Sequence, residues 1–112
     1  MRLQQGKHAE ALHLAGNAFR VGAASPQVAD TYGWALAESG RAKEAVPILR
    51  GAMTKLPRNP MSRYHLAVAL ASSGSQDEAI THLELLTSGG AVFAEQQAAR
   101  ELLDKLRAAA RG

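Results

Sequence analysis

The chain has 112 residues, of which 46% are apolar, 4% aromatic and 21% charged, with a formal net charge of +3 and no cysteine. That length holds one domain with one core, and the composition is that of a folded rather than a disordered protein. Disulfides, thiolate metal sites and thiol catalysis are excluded, and so mild a charge does not by itself argue for nucleic acid.

Ala and Leu dominate the apolar share and no run alternates with period two, so an all-α fold is predicted. A first helix is predicted near 7–21. Ser25 before Pro26 supplies an N-cap and a first-turn proline for a helix over 26–39, which Gly40 ends. The next helix, 42–55, carries Pro47 in its interior, where a lost backbone hydrogen bond is expected to bend it. Leu56-Pro57-Arg58-Asn59 breaks the chain, and Asn59-Pro60 opens a helix over 60–73 that stops at Gly74. Ser75-Gln76-Asp77-Glu78 has the form of a capping box at the head of 76–88. A last helix, 92–110, places Ala99, Leu102, Leu103, Leu106 and Ala110 on one side, with Phe93 as its anchor. Arg100 with Asp104, and Glu101 with Lys105, stand at i,i+4 on it.

The strongest signal is self-similarity at a fixed interval. Glu44-Ala45 recurs 34 residues on as Glu78-Ala79, and 34 residues back as Glu10-Ala11. Gly40 matches Gly74 and Gly6, Pro26 matches Pro60, and Leu36 and Leu49 match Leu70 and Leu83. Each period holds two helices. Gly33 and Ala67 fall at one position of the first helix, and Ala11, Ala45 and Ala79 at one position of the second. Small side chains there let antiparallel backbones approach closely, while the leucines fill the space beside them. A hairpin alone cannot bury both faces, so neighbours stack and share a core.

This spacing resembles the tetratricopeptide repeat, whose pattern is a small residue in the first helix, Gly at the turn, Ala in the second helix and Pro at the end. The middle repeat supplies Gly33, Leu36, Gly40, Ala45, Ala52 and Pro57; the next supplies Leu66, Ala67, Leu70, Gly74 and Ala79, with Leu86 and Ala91 where Ala and Pro are usual. Ala29 and Arg63 replace the family's early aromatic. The resemblance implies a right-handed superhelical stack of antiparallel hairpins: residues 6–25 as the second helix of a truncated repeat, 26–59 and 60–91 as full repeats, and 92–110 as a capping helix, all in one domain over 1–112. A narrower likeness, carried by Asp30-Thr31-Tyr32-Gly33-Trp34, Tyr64-His65-Leu66-Ala67-Val68-Ala69-Leu70 and Phe93 with Ala99-Arg100-Glu101-Leu102-Leu103, is to the repeat lipoproteins of bacterial exosortase (PEP-CTERM) exopolysaccharide systems. It implies a longer, envelope-associated parent of which this is the last part, and a periplasmic location; without it the chain is expected to be cytoplasmic.

In such stacks, the resemblance implies, one stripe of each first helix lines a concave surface that binds peptides. Here the stripes are Gln27, Asp30/Thr31, Trp34 and Glu38, then Met61, Tyr64/His65, Val68 and Ser72. Trp34 and Tyr64 are large, stiff anchors for a partner, or they pack between adjacent repeats; the sequence leaves both readings open. Family members that clamp a peptide carboxylate use Lys, Asn and Arg at these places. The clamp is absent, since Asp30, Thr31, Trp34, Met61 and His65 stand there.

No catalytic, cofactor or metal site is expected. His8 and His13 lie on different helix faces, and His65 and His82 on different helices. His82 with Glu84, or His65 with Ser62, lacks an oxyanion hole and a third orienting group. Gly89-Gly90 is not followed by the Lys-Ser/Thr of a phosphate loop. The chain is therefore expected to be a non-enzymatic scaffold with a protein or peptide partner. The competing class is a pentatricopeptide-like RNA reader, suggested by Ala35 to Met53; a period of 34 and acids in the groove speak against it.

Charge is unevenly spread. Arg41 to Arg63 holds six basic residues against one acid, and Asp77 to Asp104 six acids against one base. Solvated faces of opposite sign account for this, or pairing with a partner or between copies does. Only Met1 to Gln5 precede Gly6, so helix 7–21 is expected to expose parts of Leu12, Ala15 and Phe19 and to self-associate through them. No run approaches membrane-spanning length, and Met1 to Gly6 lacks the apolar stretch of a signal peptide.

Overall fold

The computed structural model describes residues 13, 16–17, 25–88 and 93–111, and every regular element among them is an α-helix. Most of predicted helix 7–21, with the face of Leu12, Ala15 and Phe19 and the self-association expected of it, lies outside the described residues; so do His8 and Gly89-Gly90. The helices are α1 (Pro26–Glu38), α2 (Ala42–Lys55), α3 (Pro60–Ser72), α4 (Gln76–Ser88) and α5 (Gln96–Arg111).

Local chemistry sets the ends. The Val28 amide donates to Ser25 Oγ at 3.4 Å, and the Met61 amide to Asn59 Oδ1 at 3.0 Å, each beside a proline whose missing N–H costs nothing in the first turn. Gly40 and Gly74 sit at φ 82° and 97°, a left-handed conformation that a Cβ would strain. Around each, two amides close the same pair of bonds: Arg41 to the Leu36 carbonyl (2.9 Å) and Gly40 to Ala37 (3.2 Å), then Ser75 to Leu70 (2.8 Å) and Gly74 to Ala71 (3.4 Å). These are Schellman turns, and they satisfy carbonyls left over at the ends of α1 and α3.

Two local expectations need correction. The capping box at Ser75 and Glu78 does not close, because Glu78 gives both carboxylate oxygens to Arg50 of α2. An ion pair to another helix has displaced the local cap. The last helix begins at Gln96 rather than 92, since the Gln96 amide turns back to the Phe93 carbonyl at 3.2 Å while the Phe93 ring packs against the core. Pro47 leaves α2 unbroken. It lies on the exposed side of that helix.

Each helix packs on the next in sequence, and the core runs through the stack as one cluster. Leu36, Leu49, Leu66, Leu70 and Leu83 are fully buried, each contributing roughly 1.5–3 kcal/mol by leaving water. Ala45, Ala67, Ala79 and Ala99 are buried completely beside them. A Cβ built on Gly33 would stand 2.6 Å from Leu49 Cγ and Cδ2, so the α1–α2 contact is open only to glycine. A Cβ on Gly16, from the described part of the first predicted helix, would meet the Tyr32 ring less tightly, at 3.3 Å.

Packing is asymmetric across the stack. Besides their own partners, α1 and α3 touch each other directly; α2 and α4 do not pack comparably and are tied by the Arg50–Glu78 pair. Helices close together on one side and spread on the other make a curved layer, with α1 and α3 on its concave face. The same Arg50–Glu78 pair draws part of the basic stretch onto the acidic one within the chain. Arg107 donates to Glu84 at 2.8 Å between α5 and α4. The i,i+4 pairs expected on α5 are not closed, and Glu101 instead accepts from Gln97 at 3.3 Å.

Candidate functional site

The α1–α3 side is organised by Trp34, His65 and Asp30. His65 of α3 lies one residue beyond a full period from Asp30 of α1, and the two side chains meet across the repeat boundary. Its Nδ1 lies 2.9 and 3.1 Å from the two Asp30 carboxylate oxygens. A carboxylate only accepts, so Nδ1 carries the hydrogen and donates it. The imidazole stacks on the Trp34 indole with centroids 4.3 Å apart and planes 22° from parallel. Side-chain exposure of 12% for His65 and 16% for Asp30 makes this a largely desolvated pair, less screened than a surface one.

Trp34 itself is half-buried: it packs against the core cluster and keeps part of its surface open. Tyr64 is different. At 8% exposure it belongs to the core, tilted against Trp34 at 6.1 Å and Phe93 at 6.4 Å. Burial pushes its phenol pKa up, and the negative charge of Glu95 adds to that. Of the two readings left open for Tyr64, packing between repeats describes it. Met61 and Val68 are half-buried against the same cluster, whereas Gln27, Thr31 and Glu38 are exposed. The Thr31 hydroxyl is occupied by the Gln27 carbonyl at 3.0 Å.

The stripe therefore presents half-buried Trp34, Met61 and Val68 beside exposed Gln27, Thr31 and Glu38. Asp30 and His65 bridge the two helices within it. Sequence reasoning missed the Asp30–His65 bond, although their spacing of 35, one more than the period, was a usable signal. It also missed that Phe93, from the turn before α5, packs on Tyr64 and that Glu95 lies near enough to act on the Tyr64 phenol.

In the two pairs weighed in the sequence, His65 with Ser62 and His82 with Glu84, the partners are not hydrogen-bonded to each other. Ser62 is fully buried and its Oγ has no hydrogen-bond partner, so it does not engage His65. On the opposite side of α3, His82 Nδ1 accepts from Arg63 at 2.8 Å, which leaves the ring hydrogen on Nε2, 3.7 Å from Glu78. Desolvation first, then the Arg63 charge, holds the His82 pKa below the ordinary histidine value, with Glu78 pulling the other way. Among the described residues no three of His, Cys, Asp and Glu converge as metal ligands. No described helix is long and apolar enough to cross a membrane. An open crevice of about 320 Å³ lies elsewhere, between the α1–α2 turn at Gly40 and Arg41 and the end of α3 at Ser72 and Ser73.

A family model described as the tetratricopeptide repeat matches residues 36–103, more than half of the chain. No curated protein and no solved structure matches it.

Proposed function

The chain belongs to the tetratricopeptide repeat family, and on that premise we propose that it is a non-enzymatic adaptor whose α1–α3 groove docks a segment of another protein. The observation that carries this reading is the half-buried Trp34 on the concave side, held in one orientation by its stack on His65. A rigid aromatic loses little conformational entropy when a partner covers it, which is why such residues dominate binding energetics. The Asp30–His65 bond supports the same reading, because it fixes the angle between the repeats and so presets the groove. Affinity would come from Trp34, Met61 and Val68, and specificity from Gln27, Thr31 and Glu38 at the border. We read this docking as part of a bacterial exopolysaccharide assembly system, a reading supported by the likeness of residues 30–34, 64–70 and 93–103 to envelope repeat lipoproteins.

Trp34→Ala removes the anchor and leaves the fully buried leucines in place, and Thr81→Ala, on the exposed face of α4, serves as its control. Partner capture from the native host should be lost with the first and retained with the second, both proteins showing wild-type helicity. Equal capture by the two variants would refute docking in the groove.

A further inference from the structure

The chain as a whole is basic, yet its groove is not. Acidic Asp30, Glu38 and Glu95 stand along it, and among the described residues that line it none is Lys or Arg. Three of the described basic side chains are engaged elsewhere: Arg50 is bound to Glu78, Arg63 to His82, and Arg107 to Glu84. Among the described residues Glu38 and Glu95 close no ion pair. Glu38 also breaks a local rule. It occupies the last turn of α1, where the helix dipole already presents negative charge, and no basic residue compensates it there. The last turn of α3, next along the groove, likewise has no basic residue. Local disfavour retained at an exposed, uncompensated position is the mark of a site whose missing charge comes from outside.

Resting on the groove reading above, we propose that the occupant is a cationic segment: an extended or helical peptide with Lys or Arg at both ends of its contact and an apolar residue between them. The terminal cations meet Glu38 and the α1 and α3 helix ends on one side and Glu95 on the other, and the apolar residue covers Trp34 and Met61. Charge complementarity of this kind sets partner choice and association rate more than raw affinity.

A library of random dodecapeptides displayed on phage, panned against the intact chain, tests this directly. Selected peptides should be enriched in Lys and Arg, should lose binding to Trp34→Ala, and should weaken as salt rises. Against the Glu38→Lys/Glu95→Lys double variant their affinity should fall roughly tenfold, two reversed exposed pairs being worth about that much. Thermal melts establish that both variants fold. Trp34-dependent peptides that are neutral or acidic, or that bind the double variant equally well, would overturn the cationic occupant and leave the groove standing. Peptides indifferent to Trp34→Ala would remove the groove with it. A library that yields no binder also counts against a linear cationic segment.

Discussion

The same substitution in two neighbouring helices should move stability in opposite directions. Replacing a helical glycine by alanine gains about 1 kcal/mol from backbone entropy alone. At Gly51, exposed and with nothing within 4 Å of the new Cβ, that gain stands by itself, so Gly51→Ala should stabilise by roughly 0.5–1 kcal/mol. At Gly33 the Cβ would lie 2.6 Å from two carbons of Leu49, a side chain with no exposed surface and nowhere to retreat. Overpacking of this kind costs about 1–3 kcal/mol, which outweighs the propensity gain, and Gly33→Ala should destabilise by about 0–2 kcal/mol net. The variants should therefore differ by about 1–3 kcal/mol. Urea unfolding followed by far-ultraviolet circular dichroism resolves that gap as a shift in midpoint at constant slope. A double-mutant cycle locates the cause: Leu49→Ala opens the space, so Gly33→Ala should be stabilising in that background. If Gly33→Ala were as stable as Gly51→Ala in the otherwise native chain, close approach of α1 and α2 would not be what glycine provides.

Three further outcomes are expected. Pro47→Ala should raise stability by about 1–3 kcal/mol in the same assay, because it restores a hydrogen bond to a helix that already runs through the site. Ser62→Ala should be neutral or stabilising, since the buried hydroxyl has no partner to lose; a marked loss would reveal a bond to water. The His82 pKa is lower in the folded chain than in the unfolded one, so the unfolded chain takes up the proton first. Stability should be fully present above about pH 6.5 and should decline as pH falls below it, an effect that His82→Gln flattens.

The backbone was far more legible than the groove. Caps, turns and small residues are local, so Ser25, Asn59, Gly40 and Gly74 announced where α1 and α3 begin and end, and the bounds of α2 and α4 coincide with those predicted. Interactions between helices outcompeted local rules where the reading failed. Glu78 is well placed to cap α4 but pairs with Arg50 on another helix. Tyr64 occupies the position equivalent to half-buried Asp30, but it is buried, with the Trp34 and Phe93 rings on it. Where that final turn leans is not encoded in a period of 34, because α5 departs from the repeat. Trp34 was singled out for its size; that His65 would hold it flat depended on the angle between repeats, which no single residue specifies.

Among the described helices, apart from the α1–α3 contact and the Arg50–Glu78 tie between α2 and α4, packing is between helices adjacent along the chain. Such a molecule has almost no threading to complete, so it should assemble quickly from either end. Under tension it should come apart as a zipper does, one hairpin after another at modest force, instead of rupturing all at once. A partner lying along the groove would span several of these teeth, and binding would then double as a clasp.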